Sequence, residues 1–225
     1  MPRPAGAIAG VDPAVRARFD EAVHHEGSLP WPVAGAEDLR RRLLTAYDEP
    51  GRRYHDRRHL AEVLERIEEL RAAGEAFDRE AVVLAAWFHD AIYDGRDGAE
   101  ERSAQWAEQA LPVAGRADGL TAEVARLVRM TAHHRPAPGD LNGGVLSDAD
   151  LAILAADAAR YGEYVAAVRA EYAAVPDPAF NRGRLAVLVE LAGKPHLFHT
   201  AHARTHWEAA ARANLAAEIA GRSGS

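Results

Sequence analysis

The sequence predicts an all-α fold, a single-domain helical bundle, and three observations carry that expectation. Apolar residues recur at three- and four-residue spacing in segment after segment, which is the helical period. No stretch keeps the strict alternation of a half-buried strand. The one unbroken apolar run, Ala81 to Phe88, is apolar all round, as a helix is when every side of it is buried. With 225 residues, 48% of them hydrophobic, the chain can bury one good core. Residues 1–35 are expected to form an N-terminal helix and a Pro/Gly-rich loop, residues 36–175 the helical core, and residues 176–225 helices that complete the same domain.

Asp12-Pro13 opens the first helix, an N-cap followed by Pro at the first helical position, and Val15, Phe19 and Val23 form its stripe. A second helix spans Glu37 to Tyr47, with Leu39, Leu43 and Leu44 inward, and Glu49-Pro50-Gly51 ends it. Leu60, Val63, Leu64, Ile67 and Leu70 mark the third, which Gly74 closes. Asp78 caps the buried helix, expected to run to Asp94-Gly95. Further helices are expected over Glu100–Leu111, from Thr121 to His133-His134, and over Val145–Ala158 and Tyr161–Val175. Another begins at Asp177-Pro178 and runs through Leu191, and the last is a single helix from Ala203 to Ala220.

Composition excludes several classes of function. There is no Cys, so disulfides, thiolate zinc sites and Cys nucleophiles are ruled out. A net charge of -7 argues against broad nucleic-acid or membrane-surface binding. Lys194 is the only Lys, and the Arg and Ala excess reads as coding bias of a GC-rich genome. The start, MPRPAGAIAG, is too short and too weakly apolar for a signal peptide, and no apolar run approaches a membrane span. The expectation is a cytoplasmic protein.

The chemistry lies at the ends of apolar helices. The run Ala81–Phe88 stops at His89-Asp90, and a buried, unpaired Asp costs several kcal/mol or gives up its charge. A cation beside it removes that cost. His55/His59, His133/His134 and Asp148/Asp150 occupy similar places on other segments. Imidazole and carboxylate without thiolate suit a divalent ion, Mn, Co, Ni, Mg, Zn or Fe, and leave its identity open. Ligands drawn from separate helices, with positions left for water, describe a catalytic site better than a closed structural one. His55 and His59 are four apart, but the segment HDRRH lacks the Glu of the HExxH protease pattern. Asp148 and Asp150 point about 200° apart on a helix, so one metal does not take both.

The order His59, then His89-Asp90, then Asp150 within DADL resembles the HD superfamily of metal-dependent phosphohydrolases. The resemblance is closest to a bacterial branch of predicted phosphohydrolases, through YHDRRHL at 54–60, AWFHDAIYD at 86–94, EERSA at 100–104, TAHH at 131–134, DADLAIL at 148–154 and VRAEY at 168–172. It covers roughly residues 40 to 220. One departure is Ala99, where that branch carries Asn.

The resemblance implies an HD-type bundle with His59, His89, Asp90 and Asp150 as metal ligands. It makes Glu100 a general acid/base or water-orienting group, with His55 and His133 as further catalytic candidates. His133, and after it His134, resemble the extra ligands with which some members hold a second metal. Asp148 is left to orient a His. Arg169 with Glu171 and Tyr172 reads as a salt-bridged interior feature rather than a phosphate clamp. The tract His196, His199, His202 and His206 has no interleaved carboxylate and reads as packing or surface. The implied activity is hydrolysis of a small phosphate ester, a nucleotide or phosphorylated metabolite. The alternatives are a di-iron oxygenase on the same fold and a metal- and ligand-binding regulatory module without turnover.

Overall fold

The computed structural model describes residues 29–223, and among them there is no strand. The elements are α1 (Glu37–Tyr47), α2 (Arg57–Ala72), α3 (Arg79–Phe88), α4 (Ala99–Val113), α5 (Asp118–Thr131) and α6 (Leu141–Leu151). A 3₁₀ turn (Ala152–Ala155) follows, then α7 (Ala158–Glu171), α8 (Asp177–Gly193), α9 (Ala201–His206) and α10 (Glu208–Ser223). The described residues form an all-helical bundle, as the periodicity predicts. The expected helix carrying Val15, Phe19 and Val23 lies outside the described residues.

The bundle is built around α3. Every residue from Ala81 to Phe88 is fully buried, and α2, α4, α5 and α6 pack around it. Burying an indole in that core leaves no orphan donor, because Trp87 Nε1 donates to the Pro30 carbonyl at 2.9 Å. Asp78 caps the first turn by accepting from the Ala81 amide.

The far end of α3 differs from expectation. The helix stops at Phe88, with His89 as its C-cap, rather than running to Asp94-Gly95. Tertiary partners end it. The guanidinium of Arg52, its side chain 1% exposed, donates to the carbonyls of Asp90 and Ala91 at 2.6 and 3.0 Å. The Ile92 amide donates to Ser103 Oγ on α4 at 3.0 Å instead of to a helix carbonyl.

Two other boundaries move for similar reasons. The helix expected over 145–158 begins earlier, at Leu141, where Asp140 accepts from the Gly143 amide, and it tightens to 3₁₀ after Leu151. Asn214 on α10 donates to the carbonyls of Leu154 and Ala156, satisfying groups a continued helix would have paired internally. The last expected helix is two, broken at Trp207, whose ring packs edge-on to Phe198 while its Nε1 donates to Glu69 at 3.3 Å.

Candidate metal centre

Three helices bring the expected metal ligands together. Asp56 caps α2, accepting from the amides of Arg58 and His59, so His59 sits in the first turn of that helix. His89 closes α3, Asp90 follows it, and Asp150 lies one residue before the end of α6. The His59 and His89 Nε2 atoms are 3.2 Å apart. Asp150 Oδ1 lies 3.2 Å from His59 Nε2 and 3.7 Å from His89 Nε2, and Asp90 Oδ2 lies 3.3 and 3.2 Å from the same two atoms.

These residues fit a cation. Two ligands bound to one ion at about 2.1 Å, 90–120° apart, stand about 3.0–3.6 Å from each other. His59, His89 and Asp150 form a largely buried group whose donor atoms stand 3.2, 3.2 and 3.7 Å apart, close to that spacing, so the group can bind a metal ion. The tautomer agrees for His89. Its Nδ1 lies 2.7 Å from the Ala86 carbonyl, which can only accept, so Nδ1 carries the proton and Nε2 faces the cluster. Burial disfavours the imidazolium of His59, but Asp150 and Asp90 outweigh it and raise the pKa to about 9. Burial likewise pushes Asp90 and Asp150 up, and the facing histidines, His89 foremost, hold both well below the usual carboxylate range. Without an ion the cluster is a set of opposed charges that trades protons for a metal when one binds.

Asp148 and Asp150 separate as their helix angle requires. Asp148 is fully buried on the other side of α6, where it accepts from the His199 amide at 2.8 Å and the Thr200 amide at 2.7 Å. It therefore orients a backbone segment rather than a histidine ring, and burial raises its pKa to about 6.

Asp90 and Asp150 of the cluster open onto a cleft of about 570 Å³ whose lining includes His55, Tyr93, Glu100, His133, Arg135 and Lys194. Of the adjacent pair after α5, His134 rather than His133 approaches the cluster. His134 has φ 46°, a left-handed conformation unusual for a residue with a Cβ, and that turn brings its Nε2 within 3.5 Å of Asp150 Oδ2. His133 is exposed on the cleft wall. Burial lowers the pKa of His134, which favours the neutral, metal-binding form. Glu100 lines the cleft from the first turn of α4 and makes no ion pair among the described residues.

His55 is held from an unexpected direction. Its Nδ1 lies 2.7 Å from Glu171 Oε2 at the end of α7, and its ring stacks on Tyr93 with centroids 4.0 Å apart. Glu171 Oε1 accepts the three consecutive amides of Arg53, Tyr54 and His55 at 2.8, 2.8 and 2.9 Å. Burial pushes the Glu171 carboxyl up, yet His55 and these amides outweigh it and lower the pKa to about 2. Arg169 does not pair with Glu171, as the sequence suggested, but with Asp177 and the Tyr172 and Val175 carbonyls. Arg52 is the site-building residue that sequence reasoning passed over, and Glu171, read there as an interior ion-pair residue beside Arg169, takes His55 as its partner instead. In the histidine tract, His202 Nε2 pairs with Glu69 at 3.0 Å, consistent with packing.

No family model, no curated protein and no solved structure matches this chain.

Proposed function

We propose that the chain is a metal-dependent hydrolase of small phosphate esters, built on an HD-type helical bundle. The observation that supports this most is the convergence of His59, His89, Asp90 and Asp150 from three helices, with the two carboxylates opening onto one cleft. A divalent ion held there supplies Lewis acidity, lowering the pKa of its water and offsetting charge on the phosphoryl group. Lys194 on the cleft wall gives an anionic substrate its local attraction, which the acidic chain as a whole does not, while Arg135 beside it is paired with Glu190 at 2.6 Å. Glu100 and His55, on the same lining, are placed to handle protons.

The test begins with protein stripped by chelator and reloaded singly with Mn, Co, Ni, Mg, Zn or Fe. Each form is assayed on p-nitrophenyl phosphate, bis-p-nitrophenyl phosphate and nucleoside monophosphates. Hydrolysis is expected only after loading, and not in Asp90→Ala. Loaded protein that cleaves none of these, yet is stabilised by them, fits a regulatory module instead.

A second reading rests on His134. A neutral imidazole beside the outer oxygen of Asp150 is what a second ion would need, and two irons per chain with oxygen consumption would favour dioxygen chemistry.

A further inference from the structure

Glu171 spends its whole carboxylate on one short segment. One oxygen takes three successive amides of residues 53–55, and the other takes the ring of His55. Its side chain is 2% exposed, so this carboxylate has left water for those four bonds. As an anion it can only accept, so His55 Nδ1 must be the donor. That leaves Nε2 as the ring position able to exchange a proton with the cleft, which His55 lines alongside Asp90. The Tyr93 stack fixes the ring plane. Arg52 donates to the His55 carbonyl at 2.9 Å and to that of Asp90, locking His55 and the metal ligands into one frame.

Resting on the phosphohydrolase reading, we propose that His55, as the imidazolium, donates the leaving-group proton through Nε2 and that Glu171 is the positioning residue that keeps the other ring proton on Nδ1. In the step, the water oxygen bonds to phosphorus while the bond from phosphorus to the ester oxygen breaks. The ester oxygen departs with that electron pair and takes the proton from His55 Nε2. The imidazole is reprotonated by the proton the attacking water gives up, so product alcohol and phosphate balance substrate and water. A third group that orients a catalytic His and sets its tautomer is a recurrent device in hydrolysis.

Glu171→Gln tests this cleanly. The amide oxygen still accepts the three backbone amides, but its NH₂ donates to Nδ1 and forces the proton of a neutral His55 onto Nε2. The comparison uses full-length, metal-loaded protein with two esters, phenyl phosphate and p-nitrophenyl phosphate, whose leaving groups differ in their need for a proton. Long-range ¹H–¹⁵N spectra are expected to show a neutral His55 protonated at Nδ1 in wild type and at Nε2 in the variant, with metal content unchanged. The rate constant kcat on phenyl phosphate should fall about 100-fold or more with little change in KM, and several-fold at most on p-nitrophenyl phosphate. His55→Gln, which leaves the three backbone bonds to Glu171 in place, should show the same dependence, and adding Glu171→Gln to it should cost little more.

Equal losses on both esters, an unchanged tautomer, or an inverted tautomer with full activity each overturn the inference. Should Glu171→Gln not fold, His55→Gln decides by the same leaving-group comparison. Wild-type protein that hydrolyses neither of these esters, nor bis-p-nitrophenyl phosphate or the nucleoside monophosphates, overturns the phosphohydrolase reading itself. The tautomer, which does not depend on turnover, tells that failure apart from a failure of Glu171 to set His55.

Discussion

Asp148 and Asp150 stand two residues apart on α6 and do unrelated work. Asp150 faces the histidines, while Asp148 holds the amides of His199 and Thr200 from full burial. Asp148→Ala strands those two buried donors and is expected to cost about 2–3 kcal/mol in urea unfolding while metal content stays unchanged. Loss of metal in that variant would mean that Asp148 belongs to the site. Glu171 makes a pH prediction. Its pKa is lowered from 4.5 to about 2, so its contribution is full above pH 4.5 and is lost as pH falls toward 2. Wild type should therefore lose roughly 2 kcal/mol more than Glu171→Gln between pH 5.5 and pH 3. Parallel pH–stability curves for the two proteins would contradict the assignment.

At the level of elements, α3 has no polar face, and the cost of truncation should follow. Leu84 is fully buried at its centre, so Leu84→Ala is expected to cost about 3 kcal/mol. Val113 ends α4 with 90% exposure, and Val113→Ala should fall within about 0.5 kcal/mol of wild type. Similar denaturation midpoints for the two variants would show that α3 is not the organising core. Apart from the break that divides α9 from α10, the presence of each described helix was legible in the sequence, because the three-to-four spacing of residues such as Leu60, Leu64 and Ile67 reports a buried stripe directly. The ends were less legible. Arg52 closes α3 from a segment far back in the chain, and Asn214 draws the carbonyls out of the turn after α6. Such caps follow from tertiary partners that local pattern does not encode.

Over the whole molecule, the bundle serves to bring segments some thirty and sixty residues apart to one point. Residue type at helix ends marked His89-Asp90 and the pairs His55/His59 and Asp148/Asp150, since a carboxylate after a fully apolar run calls for a partner, and the family resemblance chose His59 and Asp150 from those pairs. The choice between His133 and His134 was not legible, because it turns on a left-handed residue that spacing cannot reveal. Glu171 was read as an interior ion-pair residue but its partner was not legible, because His55 lies 116 positions earlier. An ion that binds this preformed cluster but not the unfolded chain stabilises the fold by mass action. At a hundredfold excess over the dissociation constant, about 2.7 kcal/mol is expected, a rise in Tm of roughly 5–10 °C that chelation reverses. A Tm indifferent to every divalent ion would count against the cluster as a metal centre.

The most direct measurement is metal content by plasma mass spectrometry on untagged protein purified without oxygen, beside Asp90→Ala and Asp150→Ala. The expected result is about one divalent ion per folded chain in the wild type and none in either variant. Metal that stays bound through both substitutions would contradict the assignment of the site.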